Sequence, residues 1–183
     1  MRSKGQGLLL GIIAGLMVLS PRTISAGENQ QKPDSATPEY AQLKSLVGRW
    51  EGTVSEMGSQ TTQPTSVQYH LTSGGSALVE TLFSGTDHEM VSVYFEQNGK
   101  PAMTHYCMLG NHPQLNLVSS AAGRLDFSLG QPSGIAENER HMHELVITWK
   151  DADHITQEWT SYNQGKPEGK TTIDLSRAPV VKS

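Results

Sequence analysis

From Arg49 to about residue 177, apolar and polar positions alternate with a period of two. The alternation runs in short stretches rich in β-branched and aromatic residues, separated by Gly, Pro, Asn and Asp. This is the pattern of β-strands with one buried face. Ten runs can be delimited: 49–57, 65–72, 76–84, 89–97, 101–108, 114–119, 123–129, 141–150, 153–162 and 169–177. Four of the breaks between them have hairpin-turn composition, namely Gln97-Asn98-Gly99-Lys100, Ser120-Ala121-Ala122-Gly123, Lys150-Asp151-Ala152-Asp153 and Asn163-Gln164-Gly165-Lys166, so neighbouring strands are expected to pair antiparallel. The connections are too short for the crossover helices of a parallel sheet. The longest irregular stretch, Gln131–Arg140, is expected to form a loop at an open end. A flat sheet of this size would leave exposed edges, and closure removes them. The expected fold is therefore all-β, an antiparallel up-and-down barrel of about ten strands, with a two-sheet sandwich as its structural rival.

Ahead of the strands the period is helical. Thr37 can cap a helix whose first position is Pro38, and Tyr40, Leu43, Leu46 and Val47 then fall near one face, with Gly48 closing the helix. Residues 27–37 carry no apolar periodicity and read as a flexible leader. Further upstream, Arg2 and Lys4 precede the apolar run Gly7–Leu19, then Pro21 and a small-residue site ending at Ala26, which together predict a signal peptide over 1–26. The run is short for a membrane span. The chain thus divides into a signal peptide (1–26), a leader (27–37), a barrel domain (38–178) and a tail (179–183), and is expected to be periplasmic or secreted.

Charge narrows the partners. The whole chain has 14 Lys+Arg against 18 Asp+Glu, and cleavage after Ala26 would remove three positive charges (Arg2, Lys4 and Arg22), leaving a net charge of -7. No broad positive field is available, so neither nucleic acid nor, after cleavage, a membrane surface is an expected partner. Cys107 is the single cysteine, so no intramolecular disulfide can form and the core must carry the stability.

The segment Leu46-Val47-Gly48-Arg49-Trp50-Glu51-Gly52-Thr53 has its own physical logic: Trp50 can plug one barrel end while Gly48 and Gly52 allow close backbone approach. It resembles the start of calycin barrels, a group that includes lipocalins, fatty-acid-binding proteins and nitrobindin-like haem proteins. The phrases Ser73-Gly74-Gly75-Ser76-Ala77-Leu78-Val79-Glu80-Thr81, His88-Glu89-Met90-Val91-Ser92-Val93-Tyr94 and Thr104-His105-Tyr106-Cys107 resemble a family of small secreted bacterial proteins of unassigned function, over roughly residues 43–177. The resemblance implies a calycin-like barrel and brings no catalytic residues with it.

Several polar residues sit among apolar ones on the same strand face: Glu80 between Leu78 and Leu82, Tyr69 between Val67 and Leu71, and Gln157 between Ile155 and Trp159. With His105 and Trp159 they outline an amphiphilic lumen able to take a small molecule, and an inward carboxylate such as Glu80 needs a partner. Inward polar groups bonded to one another give the plainer alternative. A second pattern concerns donors. Alternation puts His105 beside Cys107 on one strand face and His141 beside His143 on another, the latter sharing its face with Leu145, Ile147 and Trp149. If both faces look inward, the four side chains offer nitrogen and sulfur donors for zinc, copper or haem, possible only if at least three converge on one point. A cupin is excluded, because Ile147 and Thr148 stand where its Glu ligand should follow the His-x-His pair. A Cys107–His105 dyad is disfavoured, since i and i+2 side chains on a strand lie about 7 Å apart. No Gly-x-Ser-x-Gly, phosphate loop or His-Glu-x-x-His is present, which weighs against an enzyme. The expectation is a barrel binding a small molecule in its lumen, with a metal or haem centre as the alternative.

Overall fold

The computed structural model describes residues 36–56, 59 and 61–179. The signal peptide, most of the leader and most of the tail predicted from sequence lie outside the described residues. The domain is all-β apart from one α-helix and a single 3-10 turn: α1 (Pro38–Lys44) is followed by β1 (Gly48–Glu56), β2 (Gln63–Thr72), β3 (Ala77–Leu82), β4 (Met90–Gln97), β5 (Lys100–Tyr106), β6 (Gln114–Ala121), β7 (Arg124–Leu129), β8 (His141–Trp149), β9 (His154–Asn163) and β10 (Lys166–Arg177). Each strand pairs antiparallel with its neighbours in sequence, and β1 pairs with β10 to close a ten-stranded barrel. Closure rules out the sandwich. The tightest hairpins have the expected chemistry: Asn98-Gly99 and Gln164-Gly165 take positive φ at both central positions, the geometry that matches the twist of paired strands.

The helix is short and held by its ends. Thr37 Oγ1 accepts from the Tyr40 amide and Pro38 occupies the first turn, where its missing N–H costs nothing. The helix stops at Lys44, four residues before the Gly48 expected to end it, and Gly48 instead opens β1 with φ +128°. Tyr40, Leu43 and Leu46 are buried and join the barrel core.

Trp50 is completely buried, and its indole N–H donates to the Leu46 carbonyl at 2.7 Å. The Arg177 guanidinium lies 4.3 Å from its ring centroid and donates to the carbonyls of Val47 and Ser45 at 2.9 Å each. One cation thus binds the end of the last strand to the carbonyls left open after the helix. Gly52 is fixed by space alone: a Cβ there would lie 1.9 Å from the Asp174 carbonyl oxygen on β10.

Two local departures alter which side chains reach the lumen. The fifth strand ends at Tyr106 rather than 108: the Cys107 amide donates to Asn111 O and the Gly110 amide to Cys107 O, a tight loop that takes Cys107 out of the alternation. In β8 the register against β9 shifts between Met142 and Glu144. A bulge of this kind changes the parity of the strand, so Met142 lines the lumen while His141 and His143 pack with Tyr162, which shares its strand face with Glu158 and Thr160 and not with inward Gln157 and Trp159. The expectation that His141 and His143 share the inward face of Leu145 and Ile147 is corrected on this ground.

Trp50→Ala should lower unfolding free energy by roughly 3 to 5 kcal/mol in urea titrations. Gly52→Ala must push β10 away from β1 and should cost roughly 1 to 3 kcal/mol or more. A loss below about 1 kcal/mol for either would contradict this packing.

Candidate functional site

Strand register builds the site as a row. Tyr69 on β2 lies opposite Glu80 on β3, Glu80 opposite Ser92 on β4, and Ser92 opposite His105 on β5. All four side chains point into the barrel and are buried. Glu80 is the sink of the row. Its Oε1 accepts from Tyr69 Oη at 2.6 Å and from the Gln157 amide, and its Oε2 accepts from Tyr94 Oη at 2.9 Å. Trp159 Nε1 donates at 3.0 Å to Gln157 Oε1, which orients that amide so that its NH2 faces Glu80 and Tyr69. Burial pushes the Glu80 carboxyl above its ordinary range, and the hydrogen bonds from Tyr69, Gln157 and Tyr94, with the Ser92 hydroxyl nearby, pull it back. Every donor is directed at it, which suits the acceptor-only carboxylate form. The two tyrosines are held well above the usual phenol range, by burial first and by the Glu80 charge next, so they remain donors.

His105 ends the row at the boundary of a cavity. Its Nδ1 is 3.0 Å from Ser92 Oγ, and its ring sits 4.7 Å from the Trp159 ring, centroid to centroid. Its Nε2 is buried and has no hydrogen-bond partner. Burial pushes the imidazole down to about 4.

The cavity, about 600 Å³, opens at the barrel end opposite α1. His105 and Trp159 line it, and Leu82, Phe83, Met90, Met142 and Ile173 supply apolar wall. Met108 reaches it from the loop after β5, where Met108 and Leu109 are exposed beside Tyr106 at the strand's end. No Lys or Arg lines it among the described residues.

The five residues proposed from sequence for ligand binding are thus brought together: Tyr69, Glu80 and Gln157 form the polar layer, and His105 and Trp159 join that layer to the cavity. Sequence reasoning missed Ser92 and Tyr94. Their parity with inward Met90 was available, but the more hydrophobic Val91, Val93 and Phe95 on the other face obscured it. The four proposed metal donors are not brought together. Among the described residues no three His, Cys, Asp or Glu side chains gather as an ion would require. His141 donates from Nδ1 to Glu139 O at 2.7 Å, so its Nε2 accepts from His143 Nδ1 at 2.9 Å, and His143 stacks 3.8 Å from Tyr162. Cys107 is half-buried, and burial pushes its thiol up, the opposite of an activated nucleophile.

No protein-family model matches this chain, and no curated protein matches it. Among solved structures, it is similar to a protein of unknown function from the DUF3598 family of Nostoc punctiforme, with a TM-score of 0.54 and 16% identity over 75% of this chain. The match covers 49% of that protein, so this chain spans about half its length. At this identity the likeness concerns the fold alone.

The buried imidazole gives a pH signature. Between about pH 6.5, the ordinary histidine value, and about 4, the unfolded chain holds a proton at His105 that the folded chain does not. Stability therefore rises with pH across this window and is lost on acidification, by about 2 kcal/mol between pH 7 and 4.5. The raised carboxyl of Glu80 acts in the opposite sense, its contribution falling as pH rises, so His105 must be isolated by comparison. In urea unfolding at both pH values, wild type should lose about 2 kcal/mol more than His105→Gln; parallel losses would show that His105 titrates as if exposed.

Proposed function

We propose that this protein is a calycin-like, periplasmic or secreted barrel that binds a small, largely apolar molecule in its lumen. One observation carries the reading: a cavity of about 600 Å³, open at one end, closes over a buried histidine nitrogen that has no partner. Ligand sites are commonly about 300 to 1,000 Å³, mostly apolar, with a few convergent polar groups. The methionines Met90, Met108 and Met142 in the wall suit ligands of variable shape, because an unbranched thioether repacks at little cost. The exposed apolar side chains of the loop after β5 offer an entry rim. The apolar segment at 1–26 supports export.

A second reading, a haem held through His105, is favoured by one feature. A histidine whose Nδ1 is hydrogen-bonded and whose Nε2 is open has the arrangement of an oriented metal ligand. One axial imidazole and apolar walls fit a haem. They do not fit a zinc or copper ion held by His105, Cys107, His141 and His143, since no such group of donors forms among the described residues.

Native mass spectrometry of protein purified from its own host should reveal a retained molecule of a few hundred daltons, and its Soret-region spectrum should separate haem from other ligands. Met142→Trp, which fills the cavity, should abolish Nile red uptake while leaving the unfolding midpoint nearly unchanged. Undiminished uptake would move binding elsewhere, and a protein that retains nothing and takes up neither Nile red nor haem would defeat the reading.

A further inference from the structure

We infer that the deep end of the cavity is a site for a soft monovalent metal ion, Cu(I), held by the thioether sulfurs of Met90, Met108 and Met142 and by His105 Nε2. This goes beyond the small-molecule reading and does not depend on it.

The placement follows from strand register. Ser92 on β4 lies opposite His105 on β5, and Met90 is the next inward residue of β4 toward the opening. Met108 enters from the loop that begins where β5 ends, on the same wall as His105. On the other wall, Trp159 of β9 meets His105 with ring centroids 4.7 Å apart, so two strands far apart in pairing order touch across the lumen at this level. Met142 of β8 pairs with Ser161, two residues past Trp159 toward the opening. All three methionines line the cavity with His105. They therefore form one tier over the imidazole, brought by two walls that are already in contact beneath them.

The chemistry of this donor set is specific. Thioether sulfur is soft and uncharged, and it selects Cu(I) over zinc, calcium or magnesium. Among the described residues no three His, Cys, Asp or Glu side chains gather to hold a harder ion. The imidazole is oriented for ligation: Nε2 is buried without a partner, and Ser92 Oγ holds Nδ1 at 3.0 Å. A hydroxyl can donate or accept, so that contact survives when the ring carries its hydrogen on Nδ1 and turns the Nε2 lone pair to a metal. Charge agrees with a cation. The four ligands are neutral, the carboxylate of Glu80 lies behind Ser92, Glu56 lines the cavity, and no Lys or Arg does so among the described residues. A buried positive charge needs such opposite charge nearby.

The test uses the full chain without oxygen. Titration with Cu(I) delivered as its bicinchoninate complex should show one ion withdrawn per chain. Spectra of protein labelled with 13C-methyl methionine should shift at Met90, Met108 and Met142 and stay still at Met103, which is buried two residues deeper on β5 and does not line the cavity. Met90→Leu and Met142→Leu conserve volume and should each weaken Cu(I) binding at least about tenfold, as should His105→Gln, with the unfolding midpoint of the Leu variants nearly unchanged. Cys107→Ser should bind as wild type does. Binding lost in Cys107→Ser but kept when all three methionines are replaced by leucine would overturn the site, and so would wild type that withdraws no copper from bicinchoninate. Neither result touches the small-molecule reading, which copper-free protein tests separately through Nile red uptake.

Discussion

A carboxylate inside a protein must be solvated by the protein, and the inner layer of this barrel is arranged around that requirement at Glu80. Left bare, the charge would be prohibitively expensive. Here it meets two phenols and an amide, delivered by three strands: Tyr69 from β2, Tyr94 from β4, and Gln157 from β9. These groups converge only if the sheet is closed, because β9 lies on the far side of the barrel from β3 in pairing order. Removing one donor leaves the others and the carboxylate under-satisfied, so the penalty of an error in register is shared across the network. A shift of one residue in any of these strands would also turn its inward side chains to solvent. The polar layer thereby specifies the register that produces it.

The two ends of the barrel divide the remaining work. At the helical end, Trp50 fills the lumen beneath α1, and Arg177 both covers the indole and occupies the carbonyls that follow the helix. Fixing that end as a packed plug leaves the opposite end free to carry a cavity, since closure and core packing are already secured. The apolar wall there has no comparable plug. Between the two lies the Glu80 layer, and His105 and Trp159 belong to both neighbours. Trp159 shows the coupling directly: its N–H holds Gln157 in the network while its ring packs on the imidazole that faces the cavity.

Period-two alternation made much of this legible in the sequence. It identified ten strands to within a few residues, and it placed Tyr69, Glu80, Gln157, His105 and Trp159 inward because each stood among apolar residues of the same parity. It could not say that Tyr69, Glu80, Ser92 and His105 would fall in one row, since cross-strand register is a non-local property. Nor could it find Arg177, whose role depends on a meeting of chain segments separated by 130 residues. The misplaced donors have local causes. Alternation carries a side chain to the correct face only while the strand is regular, and one extra residue at Met142–Glu144 was enough to turn His141, itself buried, and His143 away from the lumen. An early strand end did the same to Cys107.

The bulge has a consequence beyond the correction. Had β8 stayed regular, two imidazoles would have entered the open end facing His105 and Trp159, and the cavity would be polar with several competing acceptors and donors. With the bulge, Met142 takes that inward position and the imidazoles satisfy each other, Glu139 O and Tyr162 on the other face. The upper lumen is left apolar around a single unpartnered nitrogen. In such surroundings a hydrogen bond is strong and an unmatched polar group is penalised, so the polar chemistry of the deep cavity falls to one buried ring nitrogen held in place by Ser92 and Trp159.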